Sequence, residues 1–168
     1  MEPAILHTYG PGNYTAILSG VNETSGTALV EAYGLETGAT IQLSNISTRG
    51  FIGTGDAVMI AGFIVDGPPG SILKVIIRGL GPTLTQFGVP GALQDPTLAL
   101  HDGNGNLIVS NDNWKDTQQT DLQATNLALP DNRESAILAT LAPGNYTAIE
   151  SGKGNTTGVG LVEVYKAP

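Results

Sequence analysis

The chain repeats itself. Residues Glu2 to Tyr33 align without a gap to Glu134 to Tyr165 at an offset of 132 positions, and 20 of the 32 aligned residues are identical. The centre of the match is Pro11-Gly12-Asn13-Tyr14-Thr15-Ala16-Ile17 against Pro143-Gly144-Asn145-Tyr146-Thr147-Ala148-Ile149, resumed by Leu29-Val30-Glu31 against Leu161-Val162-Glu163. A period this long points to a repeated structural unit, and it constrains the fold before any local propensity does. Each copy reads as a three-strand meander: an alternating run, a Pro-Gly turn, a second run, a polar loop and a third run. Three strands expose an apolar face and are not stable alone, so the first copy must pack on something. Either it completes a second sheet within this chain or it is the tail of a preceding unit, with a neighbouring subunit supplying its partner. The organisation expected is residues 1–36 as the equivalent of the end of a preceding repeat, followed by a full repeat unit over 37–168.

The segment between the copies is also rich in strand signals. Ala57 to Val65 and Ile72 to Ile77 are nearly continuous apolar runs joined by Asp66-Gly67-Pro68-Pro69-Gly70-Ser71, which predicts a hairpin covered on both faces. Thr97 to His101 and Leu107 to Ser110 flank Asp102-Gly103-Asn104-Gly105-Asn106, a second hairpin. Asp116 to Leu129 is the one expected helix, and a short one. About ten short strands with regular turn signals predict an all-β chain, an antiparallel β-sandwich with a jelly-roll-like path.

Composition removes several function classes. Seven Lys and Arg against fifteen Asp and Glu give a net charge of −8, with no cationic cluster, so neither nucleic acid nor membrane insertion is expected. The absence of Cys excludes disulfides, a Cys nucleophile and Cys-ligated zinc. Met1-Glu2-Pro3 opens no signal peptide. Gly53-Thr54-Gly55 and Gly79-Leu80-Gly81 lack the strand–glycine–helix context of a phosphate loop and read as turns and bulges. His7 aligns with Ala139, which argues against a catalytic triad; no catalytic residue is expected.

Asp95-Pro96-Thr97-Leu98-Ala99-Leu100-His101-Asp102, then Gly105-Asn106-Leu107-Ile108, Asn111-Asp112-Asn113-Trp114 and Pro143-Gly144-Asn145-Tyr146-Thr147, resemble the bacterial pre-peptidase C-terminal type of domain, a small β-sandwich appended to secreted enzymes. The chain also resembles a tandem β-repeat of large secreted proteins of environmental bacteria, in which segments like Asn45 to Gly50 and Arg78 to Pro82 recur; this likeness spans residues 40–166. The resemblance implies an extracellular or cell-surface, non-catalytic β-module in an array.

Candidate sites are few. Asp102, Asn104, Asn106 and Asp112 offer hard oxygen ligands for Ca²⁺, the one candidate cofactor, although hairpin turns use the same residues. Trp114, the only Trp, is a candidate for stacking on a sugar ring. Arg49, Arg78 and Arg133 stand in apolar or Gly-rich surroundings and call for carboxylate or carbonyl partners. Asn-x-Ser/Thr sequons occur at Asn13, Asn22, Asn45, Asn145 and Asn155. Ile64 and Val65, on opposite faces of one strand, together with the repeat pair Tyr14 and Tyr146, are the expected assembly interface. The function expected is a non-enzymatic structural protein that assembles head to tail with other copies of itself, as a filament or surface array, by strand addition. The alternative is an accessory glycan- or protein-binding module of a secreted hydrolase.

Overall fold

The computed structural model describes residues 2–35 and 43–167. The chain divides into two compact units, Met1–Leu43 and Ser44–Pro168; the boundary expected at 36/37 lies outside the described residues.

The second unit is all-β, with eight strands: β1 (Asn45–Ile52), β2 (Met59–Val65), β3 (Leu73–Leu80), β4 (Pro96–Asp102), β5 (Leu107–Asn111), β6 (Ser135–Leu141), β7 (Gly144–Gly152) and β8 (Gly158–Lys166). Two one-turn helices interrupt them, α1 (Pro82–Gln86) and α2 (Gln119–Gln123). The expected short helix is α2, while α1, opened by Pro82 at its first turn, went unread. Two four-stranded antiparallel sheets form, in the orders β1-β8-β3-β6 and β2-β7-β4-β5.

Their inner faces meet in one core, where Val75, Ile77, Ile137 and Val162 of the first sheet face Val65, Leu98, Leu100 and Ala148 of the second. The first sheet is buried on its other face as well. Ile76, Leu80 and Ala136 point there into a second cluster formed by Leu84, Ala92, Trp114, Leu122 and Leu129 from the connecting segments. This explains the unbroken apolar run of β3, which has a strand on each side and a hydrophobic layer above and below.

The hairpin predicted from Ala57 to Ile77 is not one. β2 belongs to one sheet and β3 to the other, so the Pro-Gly segment between them crosses the sandwich instead of folding a strand back on its neighbour. β2 is an edge strand covered on one face only: Val65 is 4% exposed, whereas Ile60 and Ile64 are 58% and 70% exposed. The second predicted hairpin is present as β4 paired with β5.

The meander reading of residues 134–165 also needs correction. β6 and β8 lie in one sheet, separated by β3, and β7 lies in the other between β2 and β4. No two of these three strands are hydrogen-bonded to each other. The alternation and the Pro-Gly turn, which look the same whether the next strand pairs or crosses, carry no sign of this switch between sheets.

Residues 2–35, the first copy, form no strand ladder, and each of them is exposed. With no equivalents of β1 to β5 within this unit, its backbone N–H and C=O groups have no strand to pair with.

Candidate assembly site

The body formed by β1 to β5 holds the last three strands by a small set of long-range contacts, and these define the site. At the start of β6, the Glu134 carboxylate accepts hydrogen bonds from the backbone N–H groups of Gly81 (3.2 Å) and Thr83 (2.9 Å) and from the Thr83 hydroxyl (2.9 Å). A buried acid thereby satisfies the otherwise unpaired donors opening α1. On β8, Glu163 is paired with Arg78 directly across from it on β3. The Arg78 guanidinium also donates to the Leu127 carbonyl (3.1 Å) and lies over the Tyr165 ring, 5.2 Å from its centroid. On β7, Tyr146 stacks on Phe63 of β2 at 5.7 Å, and the Ser151 and Thr97 hydroxyls meet at 2.9 Å. In the turn after β7, the Lys153 ammonium donates to Asp112 at 2.6 Å and lies 3.8 Å from Asp95.

Glu150 stands apart from this set. Its side chain is fully buried and neither carboxyl oxygen has a hydrogen-bond partner. The room it occupies exists because two neighbours are glycine: a Cβ at Gly79 would come within 3.2 Å of Glu150 Oε1, and one at Gly160 within 2.8 Å of Oε2. Burial, reinforced by the nearby Glu134 carboxylate, pushes its pKa up to about 9, so the side chain is neutral at pH 7. Burial raises Glu134 as well, opposed by its hydrogen bonds to Thr83 and Gly81.

The sequence contained a signal for two of these acids. Glu134 and Glu163 recur in the first copy as Glu2 and Glu31, in a chain where charge is scarce. Glu150 shares the inward phase of Ala148 on β7, but Leu18 occupies its place in the first copy.

Of the expected interface residues, Val65 is core, Ile64 lies on the outer face of β2, and Tyr146 is half-buried against Phe63. Tyr14 is 58% exposed. The two repeat tyrosines make the same local bond: Tyr14 donates to the Gly10 carbonyl and Tyr146 to the Ala142 carbonyl, both at 2.9 Å.

The calcium reading is corrected by the strand register. Asp102 ends β4, whereas Asp112 follows Asn111, which pairs with Leu98 near the opposite end of the hairpin. The four proposed ligands therefore do not converge. Asp102 instead accepts from the backbone N–H groups of Asn104 and Asn106 and from the Asn106 amide, bonds that hold its pKa down and close the turn. Asp112 is taken by Lys153. Among the described residues no group of three or more His, Asp or Glu could hold a metal ion.

Trp114 is 3% exposed, with its indole N–H donating to the Asp131 carbonyl at 3.0 Å. Its ring fills the second core cluster, so it offers no sugar platform. Arg78 and Arg133 have the carboxylate partners expected, Glu163 and Asp131, while Arg49 is exposed on β1. Gly53, Thr54 and Gly55 border an open hollow of ≈ 490 Å³ that no Lys or Arg lines, so it has no cation to hold a phosphate. No helix among the described residues is long and apolar enough to cross a membrane.

No protein-family model matches the sequence, and no curated protein matches it. Among solved structures, the pre-peptidase C-terminal domain of collagenase from Bacillus anthracis is similar at 16% identity, over 72% of this chain and 89% of that domain, with a TM-score of 0.44. That domain is of the β-sandwich type the sequence resembles, and the likeness concerns the fold alone.

Proposed function

We propose that this chain is a non-enzymatic structural module of an extracellular or cell-surface β-repeat protein, and that it assembles head to tail with copies of itself by strand addition. One observation carries the proposal: residues 2–33 duplicate three strands that elsewhere in the chain are held wholly by β1 to β4, yet they lie exposed without such neighbours. Ile5 is 83% exposed where its counterpart Ile137 is 1% exposed, and Val30 is 55% exposed where Val162 is 1%. Apolar strands with unpaired backbone are prone to associate wherever a strand position accepts them, since side chains and main chain engage together. A contact between unlike surfaces propagates unless its rotation closes a ring.

Negative-stain microscopy of the purified chain tests this. Filaments are expected for the parent chain and for no variant that keeps residues 2–33 from seating. Val65→Asp places a charge in the core and is expected to unfold the sandwich. Ala16→Asp, in the exposed copy, is expected to leave the melt unchanged and abolish filaments, because its counterpart Ala148 is fully buried. Ile64→Asp, on the outer face of β2, separates association through that face from seating of residues 2–33. Monomers of the parent chain at high concentration would overturn the proposal.

A further inference from the structure

We infer that the partner residues 2–33 are built to meet is the β1 to β5 body of a second copy, which they enter in the register that residues 134–165 hold in their own chain. The inference rests on the self-assembly proposed above and gives it a site.

The identities between the two copies fall on the residues that reach the body. Glu2 matches Glu134, which caps α1; Glu31 and Tyr33 match Glu163 and Tyr165, which hold Arg78; Ser19 matches Ser151, which meets Thr97; Tyr14 matches Tyr146, which stacks on Phe63. A segment whose role was only to be a soluble leader would have no use for these long-range partners. The local geometry is also shared. Thr24 donates to the Val21 carbonyl as Thr156 donates to that of Lys153, both at 2.9 Å, and the turns use left-handed backbone at Asn22 (φ 53°) and Gly154 (φ 62°). The segment thus already holds the turn that follows its second run, and its strands form on seating.

Exchange in a second copy expels that copy's own residues 134–165. The apolar burial is nearly the same before and after, so the balance falls to the positions that differ. Val21 in place of Lys153 forfeits the pairing with Asp112 and Asp95. Leu18 in place of Glu150 removes a buried carboxyl without partners, whereas Ala28 in place of Gly160 brings a Cβ into overlap with Ile52 Cδ1, so that side chain must shift. The expelled strands are themselves a complete donor set for the next copy, so exchange propagates.

The competing acceptor is the segment's own body. Tyr165 pairs with Asn45, so a seated Tyr33 would end beside the start of β1, and the eleven residues 34–44 are enough to close such a hairpin. The test separates the two. Asn145 sits opposite Ile64 in the β2–β7 register, and Asn13 is its counterpart; cross-strand partners lie within disulfide range. The chain has no Cys, so introduced thiols report alone. Full-length Asn13→Cys and size-tagged Ile64→Cys chains are mixed under mild oxidation. Heterodimer is expected several-fold above the homodimers, falling to their level when the donor also carries Ala16→Asp, whose counterpart Ala148 is fully buried. Heterodimer at the homodimer level overturns the inference, and so does a doubly substituted chain that closes its disulfide within the monomer. Filaments seen without this cross-link would leave the assembly reading standing on another surface; the cross-link without filaments would do the reverse.

Discussion

Residues 2–33 and 134–165 share 20 of 32 aligned residues in two different surroundings. In the second, Ala148, Ile137 and Val162 are buried between two sheets; in the first, Ala16, Ile5 and Val30 are exposed and no ladder forms. What both copies share is local: the Tyr-to-carbonyl bond four residues back and the Thr-closed turn after the second run. Turns and side-chain bonds of short reach come with the sequence. Strands do not, because β6, β7 and β8 have no hydrogen bond to one another and exist only by what β1 to β4 supply.

The largest test of that contrast is a charge in each copy. Ala148→Asp is expected to cost about 4–5 kcal/mol and unfold the sandwich, since it buries an ion without a partner. Ala16→Asp, in the exposed copy, should leave the urea midpoint unchanged. A loss from Ala16→Asp with Ala148→Asp tolerated would mean that the first copy, and not the second, is seated.

The next effect is on pH. Glu150 is raised from its ordinary 4.5 to about 9 in the folded chain. Below 4.5 both states are protonated and no stability is lost. As pH rises towards 9 the unfolded chain ionises while the folded one keeps its proton, so stability falls by up to about 1.4 kcal/mol per unit, roughly 4 kcal/mol between pH 5 and 8. Glu150→Leu, which copies Leu18, should flatten the slope measured by urea unfolding and raise stability at pH 7; any slope left belongs to Glu134, which burial also raises. Leu18→Glu should add no slope.

Smaller again is the ion pair. Arg78→Ala should cost about 2–3 kcal/mol, because it leaves Glu163 largely buried without its cation. Glu31→Gln, the matching site in the first copy, should not move the melt. The smallest is the shared turn: Thr156→Val should cost about 1 kcal/mol in thermal unfolding, and Thr24→Val nothing measurable.

Much of the fold was legible from particular residues. Asp102-Gly103-Asn104-Gly105-Asn106 announced the β4–β5 hairpin because a carboxylate bonding forward to backbone N–H groups is a local device. The run Ile72 to Ile77 announced a strand covered on both faces. The pairing of β2 with β7 instead of β3 was not legible, since Asp66 to Ser71 has the turn residues of a hairpin whether or not its flanking strands bond. Trp114 beside three polar residues suggested an exposed ring; its burial follows from connecting segments that close over the outer face of the first sheet. Asp102 and Asp112 looked like ligands of one ion until the register set them at different ends of a hairpin.

By itself, then, the sequence determined an all-β chain, its turns and its repeat, while the roles of Glu134 and Glu163 came from the structure. Chain class, turns and repeat depend on periodicity and on bonds spanning a few residues, which are written along the chain. Only the tertiary structure decided which strands pair, that three consecutive strands alternate between two sheets, and that Glu150 lies unpartnered between Gly79 and Gly160. Strand pairing depends on residues far apart in sequence, so a repeated sequence forms strands in one unit and no ladder in the other.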